Sequence, residues 1–150
     1  MSHSVFKHGD PVEVIKNNCY YPASVIRPPS KNKNLVFLEY RTLFLPSHPK
    51  RLRQYVNVAN VRPDLPLHLN PSFKLGDAVD TFCQHHGAWC PATVVDVLQN
   101  STYLVAFPSP DHADSAVVHR SALRLHRSWL RGNWVPPLPG QVRVAIQPFF

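Results

Sequence analysis

Short runs in which apolar and polar positions alternate recur along the first part of the chain, and turn residues separate them. Rich in β-branched and aromatic residues, they predict strands over Val12–Ile15, Ala23–Arg27, Leu35–Tyr40 and Val56–Val61. Because side chains two positions apart share one face of a strand, we expect Val36, Leu38 and Tyr40 to point together, and Ala23 to point with Val25. The pattern favours short strands over helices.

The same pattern occurs a second time further along the chain. FKHGDPVEV from Phe6 matches FKLGDAVDT from Phe73 at an offset of 67 residues, and Glu13 meets Asp80 in that match. Three further pairs of segments follow in the same order: YYPASVI (20–26) with WCPATVV (89–95), VFLEY (36–40) with YLVAF (103–107), and NVRP (60–63) with ALRL (122–125). An internal repeat of this kind indicates two structurally similar units.

Each unit has few apolar residues, and a flat sheet would leave long exposed edges that closure into a barrel removes. We therefore predict an all-β chain of two small five-stranded barrels. Their bounds are predicted at residues 4–64 and 72–137, with a semi-rigid proline-rich linker at 65–71 and a tail at 138–150 that holds at most one strand, at 142–146. Asn17–Asn18 and Gln84–Gly87 are predicted turns.

Composition supports this architecture and bounds the class of protein. The chain has 16 prolines, which disfavour long helices. It has no apolar run long enough to span a bilayer and no apolar signal-peptide core, so a soluble, intracellular protein without membrane partners is expected. Its 3 cysteines cannot all pair within one chain, which favours a reducing compartment, cytosol or nucleus.

The formal net charge of +7 is unevenly distributed. Between Arg27 and Arg62, eight basic residues face one acidic residue, whereas between Ser72 and His119 one lysine faces five aspartates. Contact with the phosphates of DNA or RNA is predicted for basic residues in two expected loops of the first unit, Lys31, Lys33, Lys50, Arg51 and Arg53. The second unit is better suited to a cationic ligand.

Aromatic residues lie near the ends of neighbouring predicted strands. They are Tyr20, Tyr21, Tyr40 and Phe44 in the first unit, and Phe82, Trp89, Tyr103 and Phe107 in the second. Ring faces bind a methylated ammonium well, because it keeps its charge but is poorly hydrated. Packing in the barrel cores is the alternative role for the same rings.

The sequence does not predict a metal site, a cofactor site or a catalytic site. Cys83, His85, His86 and Cys90 do not have the spacing of a zinc site, and Cys19 is expected to stand apart from them in the other unit. No nucleophile motif accompanies His119 and its neighbours, and no glycine-rich phosphate loop is present. A non-enzymatic binding module without a small-molecule substrate is therefore expected.

Several of these segments, with the closing LRLHRSWLRGNW, closely resemble the plant tandem Agenet domain over about residues 5–137. The resemblance implies a Tudor-like fold of the Royal superfamily and a nuclear chromatin reader. It also implies a ligand, the histone H3 tail methylated at lysine nine, and a role in heterochromatin and transcriptional silencing.

The resemblance further implies which residues would hold that tail. The methyl-lysine cage falls on Tyr20, Tyr40 and Phe44, with Glu39 or Glu13 supplying a carboxylate. Predicted contacts of the second unit with the tail are Trp89, Asp77, Asp80, Asp96 and Asp111. Because the loop after Phe44 reads LPSHPKRLR, binding of nucleic acid, including nucleosomal DNA, stays open as the alternative.

Overall fold

The computed structural model describes residues 6–30, 33–47, 49–68, 71–108 and 114–139. The first unit contains β1 (Pro11–Lys16), β2 (Cys19–Arg27), β3 (Leu35–Phe44), β4 (Arg51–Asn57) and β5 (Val61–Pro63). The second contains β6 (Ala78–Cys83), β7 (Ala88–Val97), β8 (Thr102–Ala106), β9 (Ser115–His119) and β10 (Leu123–Leu125). A final hairpin is formed by β11 (Ser128–Leu130) and β12 (Asn133–Val135).

Both units have the same antiparallel topology. In the first, β1 to β4 form a meander and β5 returns to pair with β1. In the second, β6 to β9 form the meander and β10 returns to pair with β6. Pairing of β2 with β7 at Tyr20 and Trp89 joins the two units into one sheet. The predicted repeat of small five-stranded barrels is thus confirmed.

The alternating positions of the first unit point to one face, as predicted, and that face lies in the core of the barrel. Val36, Leu38 and Tyr40 are buried together, and Ala23 packs with Val25 in the same cluster. The second barrel has its own buried cluster, which includes Val79, Val94, Tyr103 and Val105. Asn17 and Asn18 turn the chain between β1 and β2 with positive φ angles of 53° and 61°, which suits asparagine in a tight hairpin.

The prediction of one continuous strand over Val56–Val61 is wrong. A 3₁₀ turn at Val58–Asn60 interrupts it, because the side chain of Asn57 accepts a hydrogen bond from the backbone N–H of Ala59 at 2.9 Å and caps the turn. β4 instead begins at Arg51, so Arg51 and Arg53 lie on a strand and not in a loop as predicted. The possible tail strand at 142–146 lies outside the described residues.

Within the described ranges, no helix is long and apolar enough to cross a membrane.

Candidate functional site at the junction of the two barrels

A buried ionic network joins the barrels where β2 meets β7. Glu13 of the first barrel accepts hydrogen bonds from Arg62 of the same barrel and from Arg124 of the second. Arg124 also donates from Nε to Asp80, at 2.9 Å, and the other oxygen of Asp80 lies 2.8 Å from Nδ1 of His126. Glu13 and Asp80 occupy matching positions of the repeat, so each barrel contributes one carboxylate and one arginine to a shared cluster.

This cluster is closed to solvent and electrostatically balanced. Burial acts to lower the pKa of Arg124, but the hydrogen bonds and charges of Glu13 and Asp80 outweigh it, and the pKa is raised above its usual value. Among the described residues, no buried side-chain nitrogen or oxygen lacks a hydrogen-bond partner. The network therefore holds the guanidinium of Arg124 charged and fixed.

Two predicted site residues, Tyr20 and Trp89, are part of this junction. The guanidinium of Arg62 lies 3.8 Å from the ring centroid of Tyr20, and that of Arg124 lies 4.4 Å from the ring centroid of Trp89. His126 also contacts the Tyr20 ring, with the two centroids 5.9 Å apart. The chain's own cations thus occupy the rings that were expected to face a histone tail.

The four predicted cage residues of the first barrel do not converge on one cavity. Tyr20 lies at the junction, whereas the Tyr40 side chain is 0% exposed and donates a hydrogen bond to Gln54 at 2.6 Å. Phe44 is 53% exposed and shares an open cleft with Glu39, which points to the opposite face of β3 from Tyr40. The cage of Tyr20, Tyr40, Phe44 and Glu39 is therefore not formed as predicted, because strand alternation separates its members.

Tyr40 instead contacts a second ring and a cation of the first barrel. Tyr21 and Tyr40 meet edge to face, with centroids 6.2 Å apart and an interplanar angle of 84°. The ammonium of Lys16, at the end of β1, lies 5.5 Å from the centroid of Tyr40. Tyr21 was detectable as a partner from the sequence, since it lies two residues before Ala23 on the inward face of β2. The position of Lys16 over this ring depends on how the hairpin folds, and nothing in the sequence indicated it.

The predicted acidic contacts have different surroundings. Asp80 is 0% exposed and serves the ionic network, so its prediction as a contact to a peptide is wrong. Asp77 accepts a hydrogen bond from the backbone of Lys74 at 2.9 Å, and the exposed Asp96 accepts one from Val97. Asp111 lies outside the described residues. Asp96 is thus the member of this set that remains exposed on the described surface.

The outer face of β3 and β4 carries a mixed basic and aromatic surface. We call it the basic hairpin face and define it by Arg27, Lys33, Phe37, Phe44, Lys50, Arg51, Arg53 and Tyr55. Four of the five residues predicted to contact nucleic acid lie on it, and the fifth, Lys31, lies outside the described residues. Of its aromatic members, Phe37 and Tyr55 were not predicted, although Phe37 occupies the outward position between Val36 and Leu38.

Rings and cations alternate along this face. Phe37 and Tyr55 are cross-strand partners with centroids 4.5 Å apart, and the Arg27 guanidinium lies 4.7 Å from the Phe37 centroid. Beside them, Arg53 donates to Glu39 at 3.0 Å. Phe44, Lys50, Arg51 and Arg53 line an open cleft with a volume of about 770 Å³. Such a surface suits a polyanion with planar groups, because cations hold phosphates and rings stack on bases.

Fold and surfaces together define a class: a pair of Tudor-like barrels, which is a fold of binding modules. The Agenet domain model matches residues 9–66 and 76–139. The chain therefore belongs to the Agenet domain family, with both of its barrels in the match. Agenet domains generally bind peptides or nucleic acids.

Known relatives support this assignment. The chain is 28% identical over 145 residues to the Agenet domain (AGD)-containing protein P1 of Arabidopsis thaliana, and that match covers 93% of the chain but 27% of the relative. The crystal structure of Arabidopsis thaliana AGDP1 AGD34 superposes with a TM-score of 0.79, at 25% identity over 89% of this chain and 90% of that one. The ADCP1 tandem Agenet domain 3-4 gives a TM-score of 0.77, at 27% identity, with 90% of each chain covered.

Proposed function

We propose that this tandem Agenet module is a nuclear chromatin reader that binds the histone H3 tail methylated at lysine nine, in heterochromatin and transcriptional silencing. The observation that carries the proposal is the ammonium of Lys16 over the ring of Tyr40, which the Tyr21 ring meets at an interplanar angle of 84°. A ring that holds a primary ammonium offers the same attraction to a methylated one, which loses less hydration on entry. The proposed cage is therefore Tyr21 and Tyr40, with Lys16 as the group that a ligand displaces.

Charge in the second barrel supports the same ligand. The H3 tail is basic, and Asp96 and Asp114 are exposed there. Asp114 also lines a cleft with Asn17 and Asn18, which adjoin Lys16 in the chain. A tail that enters at Lys16 can thus extend toward carboxylates of the second barrel, which raise its rate of association.

Calorimetry with H3 tail peptides tests this proposal. We expect micromolar binding, about −7 to −8 kcal/mol, for the peptide methylated at lysine nine, and markedly weaker binding for the unmodified peptide. Lys16→Gln should tighten binding of the methylated peptide several-fold, because the competing ammonium is removed. Tyr40→Leu should abolish it, with far-UV circular dichroism to confirm that the barrel still folds. Equal affinity for methylated and unmodified peptides would contradict the proposal.

A second function, nucleic-acid binding, is favoured by a separate observation: the alternation of rings and cations on the basic hairpin face. Tyr55 is 54% exposed, and its ring is tilted by 41° against that of Phe37, which also contacts the guanidinium of Arg27. Stacking of a base on such a ring contributes about 1–3 kcal/mol, and each neutralised phosphate makes binding more sensitive to salt.

Fluorescence anisotropy with a labelled single-stranded oligonucleotide tests this second function. We expect affinity to fall steeply with salt, and both Tyr55→Ala and Lys50→Ala/Arg51→Ala to weaken it. Lys7→Ala/Lys74→Ala is the matched control, since both lysines are exposed but lie outside the basic hairpin face. Equal losses in the two double variants would contradict a specific surface. Because Lys16 lies outside the basic hairpin face, the Lys16→Gln variant distinguishes the two functions.

A further inference from the structure

The three cysteines, which come from different strands and from both barrels, meet at the junction. Cys19 opens β2 in the first barrel, whereas Cys83 ends β6 and Cys90 lies in β7 of the second. The Sγ atoms of Cys19 and Cys90 are 2.7 Å apart, although the residues are separated by 71 positions. Cys83 packs against the same buried cluster and lines the same cleft as these two residues. The expectation that Cys19 stands apart from the other two is therefore wrong.

The strand register explains why these thiols meet. Tyr20 and Trp89 are partners in the antiparallel pairing of β2 with β7. Continuing that register by one residue places Cys19 opposite Cys90. Directly opposed residues of antiparallel strands have Cα atoms about 4.5–5.5 Å apart, which lies within the range that a disulfide spans.

Reagents can reach this cluster from solvent. Cys19, Cys83 and Cys90 line an open cleft of about 550 Å³ with His86 and Phe107. Cys19 and Cys83 are half-buried, whereas Cys90 is 6% exposed. The thiol of Cys19 is thus accessible, and the adjacent thiol of Cys90 is more deeply buried.

From this geometry we infer that Cys19 and Cys90 form a redox-sensitive modification site, at which a disulfide oxidant such as glutathione disulfide creates a covalent bond between the two barrels. The thiolate of Cys19 attacks one sulfur of glutathione disulfide, and one glutathione thiolate leaves. Cys90 then loses its proton and attacks Cys19, and the second glutathione leaves. Two protein thiols are oxidised to one disulfide, and one glutathione disulfide is reduced to two glutathione molecules.

The bond would close a loop that contains most of the first barrel and the linker. A cross-link of this kind restricts the unfolded chain and fixes the pose of the barrels beside the pairing of Tyr20 with Trp89. Cys83, which lines the same cleft, is the neighbour that would resolve the bond by thiol exchange. The site does not depend on the ligand of the module.

The test is oxidation of the whole chain with glutathione disulfide, alkylation of the remaining thiols, and non-reducing peptide mass spectrometry. We expect a peptide that links Cys19 to Cys90 in the natural chain and equally in Cys83→Ser. The thermal midpoint should rise by roughly 10 °C and return after reduction with dithiothreitol. Cys19→Ala, with its fold checked by circular dichroism, should show neither the linked peptide nor the rise.

Three results would overturn the inference. One is full alkylation of both thiols after oxidation, and another is a link between Cys83 and Cys90 in place of the predicted one. The third is stoichiometric zinc that protects the thiols from oxidation. Within the described residues, however, no group of histidine, cysteine or acidic side chains has the arrangement of a metal site.

Discussion

Arg124 of the second barrel donates a hydrogen bond from Nη1 to Oε2 of Glu13 in the first barrel, at 2.6 Å and across 111 positions of sequence. Glu13 also accepts from Arg62, so one carboxylate serves an arginine from each barrel. All three side chains are buried. The contact makes the relative pose of the barrels depend on charge pairing as well as on the single bridge between β2 and β7.

Loss of the Glu13 charge should strongly destabilise the protein. In Glu13→Gln, Arg62 and Arg124 would stay buried with less counter-charge, because Arg124 would keep Asp80 but Arg62 would lose its carboxylate. We expect the free energy of unfolding to fall by about 3–5 kcal/mol, the usual effect of breaking a buried pair. Chemical denaturation followed by tryptophan fluorescence measures it.

Glu39→Gln is the matched control for this prediction. Glu39 pairs with Arg53 at 3.0 Å, but the pair lies on the surface, where such a contact contributes about 0–1 kcal/mol. Similar losses of unfolding free energy in the two variants would show that burial does not govern how much the network contributes to stability.

A side chain at Gly87, in the turn between β6 and β7, should destabilise the folded protein. Its φ is +69°, and a Cβ there would lie 2.9 Å from Cβ of Thr42 on the first barrel. Gly76, with φ +86° and no atom within 4 Å of an added Cβ, is the control for backbone strain alone. We expect each alanine variant to lose about 1 kcal/mol from the positive φ, and Gly87→Ala to lose about 1–3 kcal/mol more from the clash.

Thermal unfolding of the two variants measures that difference. The contact itself is specific, since Thr42 donates a hydrogen bond from its hydroxyl to the carbonyl oxygen of Gly87 at 2.6 Å. Equal midpoints for Gly76→Ala and Gly87→Ala would show that the turn can move away from Thr42 without cost.

Stability should fall at alkaline pH because of the thiols of Cys90 and Cys83. Burial and the neighbouring thiols raise the pKa of Cys90 above its ordinary value of 9.0, and burial raises that of Cys83 in the same direction. The folded chain therefore keeps protons that the unfolded chain releases above about pH 9. This contribution to stability is fully present below pH 9 and is lost as pH rises toward the folded pKa.

Denaturation under reducing conditions between about pH 8 and pH 10 tests this effect. Cys90→Ala should flatten the pH dependence over this interval. Desolvation by burial raises the pKa values of Tyr20, Tyr21 and Tyr40 above 10.0, so their contribution to stability begins to fall at higher pH. An unchanged slope in Cys90→Ala would refute the role of this thiol.

The candidate site was only partly predictable from the sequence. A period of two, which any strand imposes on its side chains, predicted that Tyr40 shares one face with Leu38 and that Ala23 shares one with Val25. The same rule separates Glu39 from Tyr40 and argues against the cage that the family resemblance implied. The sequence contained a weaker signal for the ionic network at the junction, which was the match of Glu13 with Asp80 in the repeat.

By itself, the sequence determined the class of fold and the duplication, because hydrophobic alternation and turn residues act over a few neighbouring positions and the repeat presents them twice. Only the tertiary structure decided which side chains meet across the junction. The contacts of Glu13 with Arg124, of Cys19 with Cys90 and of Thr42 with Gly87 join residues that no local pattern relates. They depend on how one barrel docks against the other, and that pose is set by burial and charge balance over the whole interface.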